Sequence, residues 1–370
     1  MKHQQLAISI GLSLLAFANC TFANQVNSIQ VVSANAEETD SAFVAAKEQA
    51  EKEAQLAYQK GLALYGENSN ETANLAINYA KAINNYTAKN IMVIGNGNEK
   101  KRFDLYSQAH RILVKNYGEN SIETMDTLLA KATHTNKSYI AVKNFEQLIK
   151  IAELQNIPGL VANMQFEAAE TLLYRFSHSE YSLAKIYAQD ADKYYQAQLP
   201  DNAVERIKSD LLMVSFESGR KDYDKATKRL NRIVGLFDKY KNLDQSFELN
   251  AHVGLVQLYE KQDESDKATK HALAFAKNTH WKNTSEQNPL YITEPIYPRG
   301  ETKSHVIVIL EITVDTHGFV QSPKVISSEG SKAFEKSAIA AVKQWRYAPK
   351  FKNGKPVNAT TQAELYFERL

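Results

Sequence analysis

The stretch "IAAVKQWRYAPKFKNGKPV", residues 339–357, decides how the chain ends. Read backwards, it continues an apolar stripe. Phe334, Ala338, Ala341, Val342 and Trp345 follow one another at three and four residues, the spacing of one buried helix face. Ser331 precedes that stripe with a side chain suited to an N-cap. Pro349 lacks the N–H a further turn would need, so the helix must stop before it. "KNGKPV" then reads as a turn, and "TTQAELYFER" as a last strand. In that strand Ala363, Leu365 and Phe367 alternate inward, with Gln362, Glu364, Tyr366 and Glu368 outward.

Upstream, "SHVIVILEITVD" alternates Val306, Val308, Leu310, Ile312 and Val314 on one face. Ile307 and Ile309 stand on the other, which predicts a central strand covered on both sides. "DTHG" (Asp315 to Gly318) predicts a hairpin turn. "FVQSPKVISS" returns as a strand, and Pro323 makes it an edge or a bulged strand. The predicted module is therefore small and α+β, in the order β-β-α-β. Phe334, Ala338, Val342, Trp345, Leu365 and Phe367 are its predicted core. Lys343, Arg346, Lys350, Lys352 and Lys355 read as a solvated basic run.

The middle of the chain is different. From Ser41 to Trp281 only Pro158 and Pro200 interrupt it, each where a helix should end, and strand signals are absent. "YGENSNET" (Tyr65 to Thr72) returns as "YGENSIET" (Tyr117 to Thr124), and "DKATK" at Asp224 returns at Asp266. Repetition at such periods marks stacked helical hairpins, and about ten helices are expected. "GNGNEKK" (Gly95 to Lys101) reads as an inserted loop. "FESGRKDYDKA" (Phe216 to Ala226) resembles, loosely, the junction of tetratricopeptide repeats. That resemblance implies a curved all-α solenoid whose concave face binds another protein or peptide, or else a rigid spacer.

The chain has 370 residues, 44% hydrophobic and 23% charged, enough for two domains, and a formal net charge of +2 that provides no field for nucleic acid. "MKHQQLAISIGLSLLAFANCTFANQ" has a basic start, an apolar run from Leu6 to Ala18, and small residues at Thr21 and Ala23. It reads as a secretory signal peptide cut near Ala23, with an uncleaved membrane anchor as the alternative. Cleavage there removes Cys20, the single cysteine. No metal-ligand spacing, nucleophile elbow or phosphate loop is present, so no enzyme, metal site or cofactor is expected; Asp190 and Asp192 read as a solvated helix face.

Several motifs together resemble the C-terminal domain of the TonB family: "EPIYPRG", "VIVILEITVDTHGFV", "FEKSAIAAVKQWRYAPKFKNGKPV" and "ELYFERL". The resemblance covers about the last eighty residues, one small domain. It implies a transducer that grips an extended segment of an outer-membrane receptor by β-augmentation, driven by an inner-membrane proton-channel motor. By position, Tyr297 and Pro298 match the family's Tyr-Pro before the first strand, near the receptor segment; Glu294 and Ile296 replace glutamines found there in some members. Along the final strand Gln362, Ala363, Glu364 and Tyr366 are the expected partner-binding residues. One of Gln362 and Ala363 donates its N–H into the sheet and the other towards the partner.

The expected organisation is a signal peptide (1–23), a flexible segment (24–40), a tetratricopeptide-like repeat (41–281), a linker (282–288) and the TonB-like domain (289–370). The expected function is periplasmic and non-enzymatic, in energy-linked import of the siderophore or vitamin type. Its partners would be TonB-dependent receptors, the motor subunits, and a further protein on the repeat, without nucleic acid. A periplasmic interaction scaffold that only docks partners is the alternative.

Overall fold

The computed structural model describes residues 37–83, 98–279, 287 and 289–368. The stretches read as signal peptide, the flexible segment up to residue 36, most of the linker, and Gly95 to Gly97 lie outside them. The chain forms two compact units that meet in sequence between Ser209 and Asp210. Among the described residues it is helical up to residue 278 and then forms a small α/β domain. No helix among the described residues is long and apolar enough to cross a membrane.

The first unit holds α1 (Glu37–Tyr65), α2 (Asn70–Ala82), α3 (Asn98–Tyr117), α4 (Met125–His134), α5 (Ser138–Leu154), α6 (Pro158–Gln198) and the start of α7 (Val204–Gly219). The duplicated sequence makes a duplicated connector. Gly66 and Gly118 end α1 and α3 at φ +81° and +93°, a conformation that glycine adopts without a Cβ penalty. Ser69 and Ser121 then accept from the N–H groups of Thr72 and Glu123, at 3.0 and 3.2 Å, and open the next helical turn. Thr72 and Thr124 are both buried at that corner.

The structure refines the sequence reading here. Asn98 to Lys101 are the first turn of α3, not loop. Pro158 begins a helix, at N1, where its missing N–H would have no intrahelical acceptor; the preceding helix already ended at Leu154. α6 is not one rod. Phe176 leaves helical geometry at φ −136°, ψ 29°, and the Tyr195 hydroxyl donates to Asn163 Oδ1 at 2.8 Å. Residues 32 apart meet only if the two halves of α6 run back against each other. Asp192, read as solvated, is buried instead, where Ser209 donates to it at 2.9 Å. A buried carboxylate needs such donors.

The second unit continues with α8 (Tyr223–Lys239), α9 (Gln245–Glu260) and α10 (Ser265–Asn278). The "DKATK" repeat is again a connector. Lys221 and Asp263 take φ +60° and +57°, and the next N–H groups, of Asp222 and Glu264, each donate at 2.9 Å to the fifth residue back. Ala226 and Ala268 follow, fully buried, which lets α8 and α10 sit close to their neighbours.

The terminal domain has β1 (Pro289–Tyr291), β2 (His305–Val314), β3 (Val320–Ser328), α11 (Lys332–Val342), β4 (Arg346–Tyr347), β5 (Lys350–Lys352), β6 (Lys355–Val357) and β7 (Ala359–Glu368). Its main sheet is antiparallel in the order β3-β2-β7. α11, capped by Ser331, packs on one face. Phe334 fills the centre of that layer, edge-on to both Tyr297 and Phe367 at 5.3 and 5.0 Å. The β2–β3 turn brings Gly318, at φ +88°, so close to the Tyr347 carbonyl that a Cβ would stand 2.2 Å from it.

β2 is central, but its second face is only partly covered. Ile307 and Ile309 are half-buried, because α11 occupies the other face of the three-stranded sheet. Pro323 lies on edge strand β3, inside the second of the two register irregularities of the β2–β3 pairing, between Lys324 and Gln321. "KNGKPV" is more than a turn. Asn353 and Gly354, at φ +52° and +74°, close a hairpin of β5 and β6.

Candidate functional site

The terminal domain has one side that is closed by the helices before it and one edge that is open. The closed side begins at β1 and β4, which pair in front of α9 and α10. Leu290 and Ala348 are buried there among Val256, Ala268, Ala272 and Ala276. Gln257 donates to the Leu290 carbonyl at 3.1 Å, and Gln287, inside the stretch read as linker, donates to the Ala348 carbonyl at 3.2 Å.

Arg346 stands at the centre of this junction and is 1% exposed. It does not belong to a solvated basic run. Its guanidinium lies over the Phe319 ring, 3.5 Å from the centroid, and its Nε is 3.3 Å from Glu260 Oε1. Nη2 donates to Thr269 Oγ1 at 2.5 Å and to the His317 carbonyl at 3.3 Å. Burial pulls its pKa down, while Glu260 and Asp315 oppose that, so the group stays charged. Nε and Nη1 find no well-aligned acceptor, so the pair is held by charge more than by hydrogen bonding. Sequence reading placed this residue on the surface. Its one signal was position: it directly follows Trp345 at the end of a buried stripe.

The open edge is β7, which pairs with β2 alone among the described strands. Ala363, Leu365 and Phe367 are buried beneath α11, while Gln362 and Glu368 are exposed and Glu364 and Tyr366 half-buried. Burial, with the neighbouring Glu364 carboxylate, holds the Tyr366 phenol above its ordinary pKa.

Backbone direction along β7 follows from β2. The Ile307 carbonyl accepts from Glu329, and Asp315 N–H donates to Phe319; both groups point to the β3 side. Main-chain groups alternate along a strand, so odd-numbered residues of β2 face β3 and even-numbered ones face β7. Leu310 is the partner of Ala363, and Glu311 of Gln362. Ala363 therefore bonds into the sheet. Gln362, Glu364 and Tyr366 direct their N–H and C=O groups outward, a row with no strand beside it.

The remaining predicted residues lie elsewhere on the domain. Trp345 is 2% exposed and donates from Nε1 to the Thr293 carbonyl at 2.9 Å. Phe334, Ala338 and Val342 are buried with it. Tyr297 packs on Phe334, and its hydroxyl donates to the Lys303 carbonyl at 2.7 Å; Pro298 beside it is half-buried. Ile296 projects outward, 83% exposed. Ser337 donates to its carbonyl and ties this segment to α11. No group of three or more metal-ligating side chains occurs among the described residues.

Comparison with known proteins fits this architecture. Residues 293–368 match the family described as Gram-negative bacterial TonB protein C-terminal. The chain is also 36% identical over 66 residues to Protein TonB of Vibrio cholerae serotype O1 (strain ATCC 39315 / El Tor Inaba N16961). That match takes in 17% of this chain and 27% of the relative, so the chain spans about a quarter of that protein's length. The matched region runs from Thr293, which caps Trp345, through β7. Residues 293–368 are thus a TonB-type C-terminal domain, set behind a helical array.

Proposed function

We propose that this chain is a periplasmic, non-enzymatic protein that captures an extended segment of an outer-membrane receptor on β7 and serves energy-linked import. The observation that carries the reading is the open β7 edge, with the main-chain groups of Gln362, Glu364 and Tyr366 directed outward. A strand laid there gains a ladder of main-chain hydrogen bonds, each net about 0.5–1.5 kcal/mol. Export by a signal peptide cut near Ala23, and contact with inner-membrane motor subunits, belong to the same reading. The helical array is proposed to hold a further protein partner, in the manner of tetratricopeptide repeats.

A second reading has an observation in its favour. The terminal domain is built onto α9 and α10 through Arg346, so the end of the array and the receptor-type domain form one compact unit. An interaction scaffold that docks partners without transmitting energy would use the same construction.

Crosslinking of the mature protein in intact envelopes, followed by capture, tests both. Recovery of outer-membrane receptors together with motor subunits, lost in Gln362→Pro, supports transduction through β7. Soluble partners alone support the scaffold. Receptor capture that survives Gln362→Pro moves the docking site away from β7.

A further inference from the structure

A cavity of about 470 Å³ opens in the first unit where α5 gives way to α6. Asn156, at φ +55°, reverses the chain there, and Ile157 and Pro158 lead into α6. The floor is apolar: Ile157, Val161, Ala162 and the Tyr194 ring, which the second half of α6 brings back beside Gly159. Ile157 is 50% exposed, and its neighbour Leu154 is 54% exposed. Large aliphatic side chains left in water at one spot form an apolar patch of the kind a partner covers.

The rim carries the sign of that partner. Glu153 and Asp190 are its charged residues, one from each helix, and no basic side chain lines the cavity. Both carboxylates are exposed and neither has an ion-pair or hydrogen-bond partner among the described residues. Lys150 and Lys193 stand one turn away on the same helices and pair with neither. An apolar floor between two unpaired carboxylates complements a large apolar side chain with cations beside it.

We infer that this cavity docks a protein segment in which one leucine-like side chain is flanked by lysine or arginine. The inference rests on the reading of the helical array as a partner-binding surface, and it names the chemistry of that partner. The side chain fills the floor over Ile157 and Val161, and the cations meet Glu153 and Asp190. Acidic segments are repelled by the same two groups.

The test uses the full mature chain and a labelled, end-blocked alanine nonapeptide with one central leucine between two lysines, followed by fluorescence anisotropy. A matched peptide has glutamates in place of the lysines. The lysine peptide is expected to saturate and to bind at least about tenfold tighter than the glutamate peptide. Glu153→Gln with Asp190→Asn should weaken it about tenfold and flatten its salt dependence. Ile157→Ser, at an exposed position, should weaken it while the melting curve stays in place. Gln362→Pro should leave it unchanged. Absence of saturation, equal binding of the two peptides, or indifference to the Glu153 and Asp190 changes overturns the inference. Loss of binding in Gln362→Pro alone overturns it too, since the sheet edge would then be the captor. A failed titration beside intact receptor recovery in envelopes would sink this cavity and leave the proposed role of β7 standing.

Discussion

The two flanks of the terminal domain are built on opposite rules. On the flank that meets α9 and α10, Leu290 and Ala348 are buried and a guanidinium is buried against Glu260. On the β7 flank, a ten-residue strand leaves alternate main-chain groups uncovered. Soluble proteins usually blunt such an edge, as Pro323 and the local irregularities do for β3. β7 has no proline and no bulge against β2. The difference teaches that the domain is fixed on one side and has an open strand edge on the other, and mutations should separate the two.

The largest effect is expected at the closed flank. Glu260→Ala leaves Arg346 charged and buried without its carboxylate, a change that costs about 3–5 kcal/mol in buried pairs. The Phe319 ring and Thr269 remain as partners, which places the loss at the low end of that range. Arg346→Met combined with Glu260→Leu should recover most of it, since an apolar pair needs no desolvation of charge. Urea unfolding of the full chain reads both. Equal stability of Glu260→Ala and the parent would show that the junction is wet and the pair dispensable.

Next come the two prolines on β7. Ala363→Pro removes an inward N–H and strands the Leu310 acceptor, a loss of about 3 kcal/mol. Gln362→Pro removes an outward N–H, so melting should stay within about 0.5 kcal/mol while capture of a receptor segment is lost. The reverse pattern would mean that the strand's main-chain directions are inverted from those derived from Ile307 and Asp315.

These two positions also show what the sequence made legible. The stripe from Phe334 to Trp345 was readable because a helix face repeats locally. The alternation of β7 was readable for the same reason. The choice between Gln362 and Ala363 was not, because it depends on hydrogen bonds at the far end of β2. Arg346 was misread for a related reason. Its counter-charge, Glu260, is 86 residues upstream, and a run of basic residues looks alike whether or not one member turns inward. Asp192 repeats the lesson, since its burial is made tolerable by donors that include Ser209, 17 residues away on the next helix. Ile307 and Ile309 erred the other way: an apolar pair on the second face predicted full cover, and both are only half-buried.

A smaller effect distinguishes the units by pH. His252 and His271 are buried in α9 and α10 with their Nδ1 atoms 3.0 Å apart, so one donates and the other accepts, and neither carries charge. Burial pushes each down to about 4, for His271 with help from His252 and Lys270. Between pH 6.5 and about 4 the unfolded chain takes up protons that the folded chain refuses. Their contribution is therefore complete above pH 6.5 and lost as pH falls towards 4. In the first unit, burial lowers His110 to about 4 with the same sign, but burial and Glu167 raise Glu170 to about 7. Glu170 holds a proton in the folded state that the unfolded chain releases above its ordinary value, so it favours folding as pH falls from 7. The two shifts offset one another there. Hydrogen exchange from pH 7.5 to 4.5 should thus weaken protection in α9 and α10 more than in α3 and α6. Uniform loss would assign the effect to net charge rather than to the histidine pair.

The smallest expected effect tests which flank Tyr297 serves. It precedes the first strand, where the TonB-type resemblance puts it near the receptor segment, yet its ring stands edge-on to Phe334 and its hydroxyl is spent on the Lys303 carbonyl. Tyr297→Phe keeps the ring contact and removes one partly exposed hydrogen bond, about 0.5–1 kcal/mol. Tyr297→Ala also removes the edge-to-face contact and the apolar cover of Phe334, which raises the loss to about 2 kcal/mol or more. If the residue only packs, receptor capture at saturating temperature-matched stability should be equal in the parent and in Tyr297→Phe. If capture falls severalfold in Tyr297→Phe while unfolding barely moves, the hydroxyl must leave Lys303 to meet the partner. The receptive flank would then extend from β7 around to the segment that Ser337 holds against α11.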